Sequence, residues 1–252
     1  MLDWIRRLRK VSQKLSLPSR DASSGRSQIQ LNSAKLTPTP EIYLGQLAAL
    51  SLVIAEQLDH QSENAADKSL SSKLHTWSNK HYAMHAGLVE MLSKLGVDVS
   101  TLEARYGSRA NALYERIHGS DLFEDLMLDY IGFGMLMDSY RRLAKGLTPA
   151  KRLRVEELIE DNSMEKELLA ILLGAIEADA KLGHRLAMYG RMIVADLLLE
   201  VRDSVSLEKI LKLDGLDDQT ETARAQFKAL EPYTSELIAQ HTVRMDRLGL
   251  TA

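Results

Sequence analysis

Apolar residues recur at intervals of three and four along most of the chain after residue 41. In residues 41–60 and 70–95 these positions are Ile42, Leu47, Leu50, Ile54 and Leu58, then Leu74, Trp77, Met84, Leu88, Met91 and Leu95. The spacing matches the 3.6-residue turn of an α-helix. It therefore predicts long helices, each with one buried stripe.

Residues that commonly start or stop helices mark the boundaries of these segments. Thr-Pro before Glu41 predicts a start, Gly96 predicts an end, and Ser120 predicts the next start. The further predicted helices cover about 100–117, 120–145, 149–179, 181–203 and 218–247. No segment alternates as a strand does, and the chain has only three Phe. The sequence thus predicts an all-α bundle.

The first 40 residues differ from the remainder in composition and in charge. They hold eight Lys or Arg and two Asp, so they carry a net charge of +6, which leaves −9 for residues 41–252. We expect residues 1–40 to be a flexible basic segment and residues 41–252 to form one domain. The acidic domain disfavours an extended nucleic-acid surface. The basic turn in residues 1–10 could contact an anionic membrane or a protein, although a solvated tail is the favoured interpretation.

The chain has no cysteine, so disulfides, thiolate metal sites and cysteine nucleophiles are excluded. No apolar run approaches the ~18 residues of a membrane span. Charges at the start of the chain also interrupt any secretory signal. We therefore expect a cytoplasmic protein. Its partners are not indicated, and a homodimer is compatible with a bundle of this size.

Two histidines, His81 and His85, lie one helical turn apart in the stretch NKHYAMHAGL at 79–88, with Tyr82 beside them. Their spacing gives them one side of a helix, as in half of a metal site. The alternative is a pair of partly buried histidines with hydrogen bonds. The stretch lacks the glutamate of the HExxH zinc motif, which favours the alternative.

A later segment places carboxylates within an apolar stripe. That stripe consists of Leu153, Glu157, Glu160, Asp161, Met164, Leu168 and Ile171. Buried carboxylates are costly unless they are paired or bound to metal, so either a ligand role or exposure to solvent must explain them. Six basic residues flank the preceding loop and could meet phosphate or simply be solvated: Arg141, Arg142, Lys145, Lys151, Arg152 and Arg154.

Five phrases carry a family resemblance: GQLAAL at 45–50, HAGLVEMLSKLGVD at 85–98, YIGFGMLMDSYRRLA at 130–144, HRLAMYGRMIV at 184–194 and HTVRMDRLGL at 241–250. They resemble ferritin-like proteins of the tRNA hydroxylase (MiaE-like) type found in actinobacteria. The resemblance implies a ferritin-like four-helix bundle with additional C-terminal helices. In metal-binding relatives it also implies a di-iron site built from one carboxylate on each of two helices and an (E/D)-x-x-H pair on each of the other two.

Carried onto this chain, the implied ligand positions are Gln46, Tyr82, His85, Phe133, Asp161 and Met164, with Asp129 and Asp138 near the third-helix position. One histidine and one carboxylate remain. Two ferrous ions need several carboxylates to balance their charge, and these residues do not supply them. We therefore interpret the site as dismantled and expect no cofactor.

The sequence thus favours a ferritin-like bundle with a binding or scaffolding role and without oxidase activity. The alternative is a di-iron hydroxylase that holds iron through other residues. The candidates for such ligands are Glu56, Glu124, Asp129, Glu157, Glu160 and His81.

Overall fold

The structure is a computed structural model, and it describes residues 33–160, 163–208 and 219–252. Nearly all of these residues are helical, and none of them forms a strand. The α-helices are α1 (Pro40–Asn64), α2 (Lys68–Ser93), α3 (Val99–Ile117), α4 (Leu122–Met127), α5 (Gly134–Leu143), α6 (Pro149–Ile159), α7 (Ser163–Ala178), α8 (Ala180–Met192), α9 (Val194–Ser204) and α10 (Gln219–Arg247). The prediction of an all-α fold is confirmed.

A π-helix, Leu128–Phe133, joins α4 to α5, so residues 122–143 form one uninterrupted helical segment. Every residue of the π-helix is buried. In a π-helix the backbone bonds run from i to i+5, which widens the turn locally. Such bulges are frequent at functional sites, and this one lies in the centre of the bundle.

Short polar side chains start four of the helices. The carboxylates of Asp67, Asp98, Asp121 and Asp179 each accept hydrogen bonds from backbone N–H groups in the first turn of α2, α3, α4 and α8. These bonds satisfy donors that a helix cannot satisfy internally. The start that the sequence assigns to Ser120 is therefore one residue early, because Asp121 is the capping residue.

The core consists of α1 and α2 in extensive contact, with α3 against the outer face of α1. The segment 122–143 and helix α7 complete the central group, and α8–α10 pack around it. Helix α10 is attached to α5 by the Tyr233 hydroxyl, which donates to the backbone oxygen of Ser139 at 2.9 Å, and by the Arg142–Glu236 ion pair.

Residues before the predicted start at Glu41 also belong to this core. Ser33–Leu36 form a 3₁₀ turn, and the Leu36 side chain is completely buried. The Thr37 hydroxyl donates to the Leu143 backbone oxygen at 2.5 Å. The packed structure thus includes residues 33–40, whereas the rest of the predicted N-terminal segment, residues 1–32, lies outside the described residues.

The stripe predicted from Leu153 to Ile171 is wrong as a single face. Helix α6 ends at Ile159 and α7 begins at Ser163, so the two halves do not share one helical phase. Leu153 is 61% exposed. Within the described residues, no helix is long and apolar enough to cross a membrane.

Candidate functional site

A cavity of about 100 Å³ lies between α2, the π-helix with α5, and the α6–α7 region. Most of its wall is apolar, and three methionines contribute to it. The apolar and aromatic lining residues are Trp77, Met84, Tyr130, Phe133, Met137, Leu158, Ile159, Met164 and Leu168. Concave, mostly apolar sites with a few polar groups are typical of small-molecule binding sites.

Two features of the helices create this wall. The stripe on α2 that the sequence predicts brings Trp77 and Met84 to the cavity, with His81 between them. On the opposite side, the π-helix and the start of α5 contribute Asp129, Tyr130 and Phe133.

The Asp129 carboxyl is the most unusual polar group of the cavity. Asp129 is only 3% exposed, and neither carboxyl oxygen has a hydrogen-bond partner of normal geometry among the described residues. Burial raises the pKa of this carboxyl well above its usual range, the nearby Gln61 side chain opposes that shift, and the Asp125 carboxylate adds to it. The folded protein therefore favours the protonated, neutral form of Asp129.

The Tyr130 hydroxyl is a second buried polar group without a hydrogen-bond partner of normal geometry among the described residues. Burial and the Glu165 carboxylate raise the pKa of Tyr130, whereas Arg247 and Arg244 lower it. These influences place the hydroxyl close to the charged residues of α7 and α10. Each buried polar group that lacks a partner costs about 1–3 kcal/mol, so the cavity carries a penalty that a bound molecule could relieve.

Arg244 of α10 is a buried cation that lies directly behind the cavity wall at Gly134. It is 5% exposed, its Nη1 donates to Asp138 Oδ2 at 2.8 Å, and its Nη2 lies 3.5 Å from Glu165 Oε2. Its guanidinium lies against Gly134, where an added Cβ would come within 2.9 Å of Nε. The absence of a side chain at Gly134 therefore allows a buried arginine between α5, α7 and α10.

An open groove of about 420 Å³ lies beside the cavity, between α5, α7 and α10. We call it the basic groove. Its charged lining residues are Asp138, Arg141, Glu165, Lys166, Arg244 and Arg247. A further depression continues it towards Arg142 and Lys145.

The structure places the ligand positions implied by the resemblance at several separate locations. Phe133 and Met164 line the cavity, whereas Gln46 lines a second, smaller cavity beside Arg109 and Glu200. Tyr82 is exposed. The remaining two are His85, described below, and Asp161, which lies outside the described residues.

His85 has its own partners away from the cavity. Its Nδ1 lies 3.0 Å from the Ala48 backbone oxygen, and its Nε2 lies 3.6 Å from Glu103 Oε1. A ring nitrogen that donates to a backbone carbonyl is the ordinary arrangement of a partly buried histidine. Of the two interpretations of NKHYAMHAGL, the partly buried histidine with hydrogen bonds describes His85, whereas His81 is the histidine that lines the cavity.

The other candidate ligands are also separated. Asp129 and His81 share the cavity, but Glu56, Glu157 and Glu160 are exposed, and Arg154 pairs with Glu157. Glu124 accepts hydrogen bonds from Ser120 and Arg185 and so has a structural role. Among residues 33–160, 163–208 and 219–252, no three His, Asp or Glu side chains are grouped closely enough to hold a metal ion.

Comparison with known protein families agrees with this architecture. The family model described as the ferritin-like domain of actinomycetes matches residues 41–212, which is more than half of the chain. The chain belongs to this family. The matched range thus includes the whole cavity, while all of α10 lies beyond it. No curated protein matches the chain.

Three residues of the site did not stand out in the sequence: Tyr130, Glu165 and Gly134. Tyr130 and Gly134 fall within YIGFGMLMDSYRRLA, and Arg244, which contacts Gly134, falls within the closing phrase HTVRMDRLGL. The contact between Gly134 and Arg244 links these two sequence phrases, and it becomes visible only in the folded structure.

The raised pKa of Asp129 predicts a specific pH dependence of stability. The folded state keeps the proton on Asp129, whereas the unfolded chain releases it near the ordinary pKa of about 3.9. Stability from this group is therefore complete below that value and is lost as the pH rises towards the folded pKa, by at most about 1.4 kcal/mol per pH unit. Denaturant unfolding at about pH 5 and about pH 7.5 should show Asp129→Asn gaining stability relative to the wild type as the pH rises. An unchanged difference between the two proteins would contradict the assignment.

Proposed function

We propose that this ferritin-like protein is a binding protein whose central cavity takes a small, mainly apolar molecule with one hydrogen-bonding group. The observation that carries the proposal is the Asp129 carboxyl, which is buried in an apolar wall and has no hydrogen-bond partner of normal geometry among the described residues. A protonated carboxyl can donate one hydrogen bond and accept another. A hydroxyl or an amide of the ligand would satisfy it.

The size of the cavity supports a ligand of one small ring or a short chain. An apolar cavity of about 150 Å³ in another protein binds benzene. The present cavity is of that order, and the side chains of Met84, Met137 and Met164 can adjust their shape to an incoming molecule. We infer that the ligand inserts its apolar part between these methionines and Trp77.

The residues around the cavity do not fit the di-iron centre that the resemblance implies. Such a centre needs several ionised carboxylates, but Asp129 favours its neutral form, and Phe133 and Met164 offer iron no suitable donor. We therefore propose that the site is a dismantled one, and we derive no reaction step through iron. Kinship with the tRNA hydroxylase type would then extend to the fold and not to the reaction.

A ligand screen tests the binding role directly. We would measure the melting temperature of the purified protein with neutral phenols, anilides and small amides. At about ten times its Kd, a fragment should add about 1.4 kcal/mol of stability and raise the melting temperature by a few degrees. The Met164→Trp substitution fills the cavity and should abolish the shift. A matched control is Met188→Trp, because Met188 is 67% exposed and does not line the cavity.

The proposal fails if no fragment stabilises the wild type, or if Met164→Trp responds as the wild type does. Elemental analysis of protein expressed with added iron tests the second part. We expect far less than one iron per chain and an unchanged melting temperature after addition of ferrous iron. About two irons per chain would overturn the dismantled site and support a di-iron hydroxylase.

A further inference from the structure

The cavity and the basic groove are neighbours that share walls. Arg141 and Glu165 line both of them, and Gly134 of the cavity lies against Arg244 of the groove. The Tyr130 hydroxyl belongs to the cavity, yet its pKa responds to Glu165, Arg247 and Arg244 of the groove. A molecule in the cavity therefore lies close to the charged side chains of the groove.

Cations outnumber carboxylates in the basic groove. Four Lys or Arg side chains face Asp138 and Glu165, and the adjoining depression adds Arg142 and Lys145. Asp138 and Glu165 are already bonded to arginines, and Arg142 pairs with Glu236. The Lys166 ammonium has no acidic partner among the residues that the structure describes. Arg247 contacts Glu165 at 3.4 Å and lies near the Tyr130 hydroxyl, and more than half of its side chain is exposed.

This arrangement suits an oxyanion. Guanidinium and ammonium groups form short charge-assisted hydrogen bonds to carboxylates and phosphates. The buried Tyr130 hydroxyl can donate another such bond. The neighbouring cavity would not repel an anion, because Asp129 favours its neutral form.

We propose that the ligand is an amphipathic organic anion, with its apolar body in the cavity and its oxyanion head in the basic groove at Lys166, Arg247 and the Tyr130 hydroxyl. This inference rests on the proposed binding function and adds the chemical class of the ligand. The body carries a hydrogen-bonding group for Asp129, and the head is a carboxylate or a phosphate.

Matched probes separate the contributions of body and head. The acid 3-(4-hydroxyphenyl)propionate has a phenol, a ring and a carboxylate, 4-ethylphenol is the same molecule without the carboxylate, and the methyl ester has a neutral head. Titration calorimetry should show the acid binding at least tenfold more tightly than either neutral probe. The advantage should shrink at high salt, because it arises from partly exposed charges. Phenyl phosphate, measured alongside, distinguishes a phosphate head from a carboxylate head.

Substitutions then locate the head. Lys166→Met and Arg247→Met should each weaken the acid at least fivefold and leave 4-ethylphenol unchanged, whereas Met164→Trp should weaken both. Lys181→Met is the matched control, since Lys181 is exposed on α8 and lines neither the cavity nor the groove. Equal affinities for the acid, its ester and 4-ethylphenol would overturn the inference while leaving the binding function intact. If neither the fragment screen nor these probes bind, the binding function fails as well.

Discussion

Replacing Arg244 with methionine is expected to lower the free energy of unfolding by about 2–4 kcal/mol. The substitution keeps most of the side-chain volume but removes the buried cation between Asp138 and Glu165, which then keep, among the described residues, only the more exposed Arg141 and Arg247. Removing one partner of a buried ion pair is much more costly than the pair is stabilising, because the remaining charge is poorly solvated. Denaturant unfolding followed by circular dichroism would measure the loss.

The neighbouring Arg247 provides the control for this experiment. It approaches the same Glu165 carboxylate from the same helix, but its side chain is 54% exposed. Exposed ion pairs contribute about 0–1 kcal/mol, so Arg247→Met should have a small effect. Equal losses for the two variants would show that burial of Arg244 does not matter, and the role assigned to it would be wrong.

Replacing Asp129 with leucine is expected to have the opposite sign, a gain of about 1–3 kcal/mol in the ligand-free protein. Within the described part of the chain the buried carboxyl has no hydrogen-bond partner of normal geometry. An apolar side chain of larger volume therefore removes a desolvation penalty and fills part of the cavity. The same substitution should abolish the thermal shift with neutral phenols. Substitutions in a binding site commonly raise the stability of the protein while they remove its binding function.

Asp125 offers a matched comparison from the same helical segment. Its carboxylate accepts a hydrogen bond from the Gly119 N–H at 2.8 Å, and it does not line the cavity. Asp125→Leu should therefore destabilise the protein by about 1–2 kcal/mol, because it leaves that donor without a partner. If Asp129→Leu destabilises the protein to the same extent, Asp129 has a structural partner and the cavity loses its main argument.

The helices could be predicted from the sequence because their signals are local. Capping aspartates, Pro40 and Pro149 at helix starts, and Gly96 with a φ of 71° after α2 all act within one turn of a boundary. The apolar period then identified the buried side of α2, including Trp77 and Met84. These elements needed no knowledge of distant contacts.

The site itself could be predicted only in part. The helical period of α2 predicted that His81 lies on its buried side, and Asp129 was named among the alternative iron ligands. Both residues line the cavity. Counting from the resembling phrases instead selected Gln46 and His85, which the fold places elsewhere. Gln46 and His85 lie on α1 and α2, and the matching phrases gave their position along the chain but not which side of each helix faces the cavity. The role of Arg244 depends on a contact with Gly134, 110 positions away, which no local pattern indicates.

The π-helix at Leu128–Phe133 also has a consequence for evolutionary divergence. Wide turns of this kind differ from an α-helix by one residue. Deleting that residue would let the segment close into a regular helix and would rotate the side chains on one flank by roughly 100° about its axis. Homologues that differ by a single codon in this stretch would therefore expose a different set of residues to the interior, and their ligand preferences could separate without any change of fold.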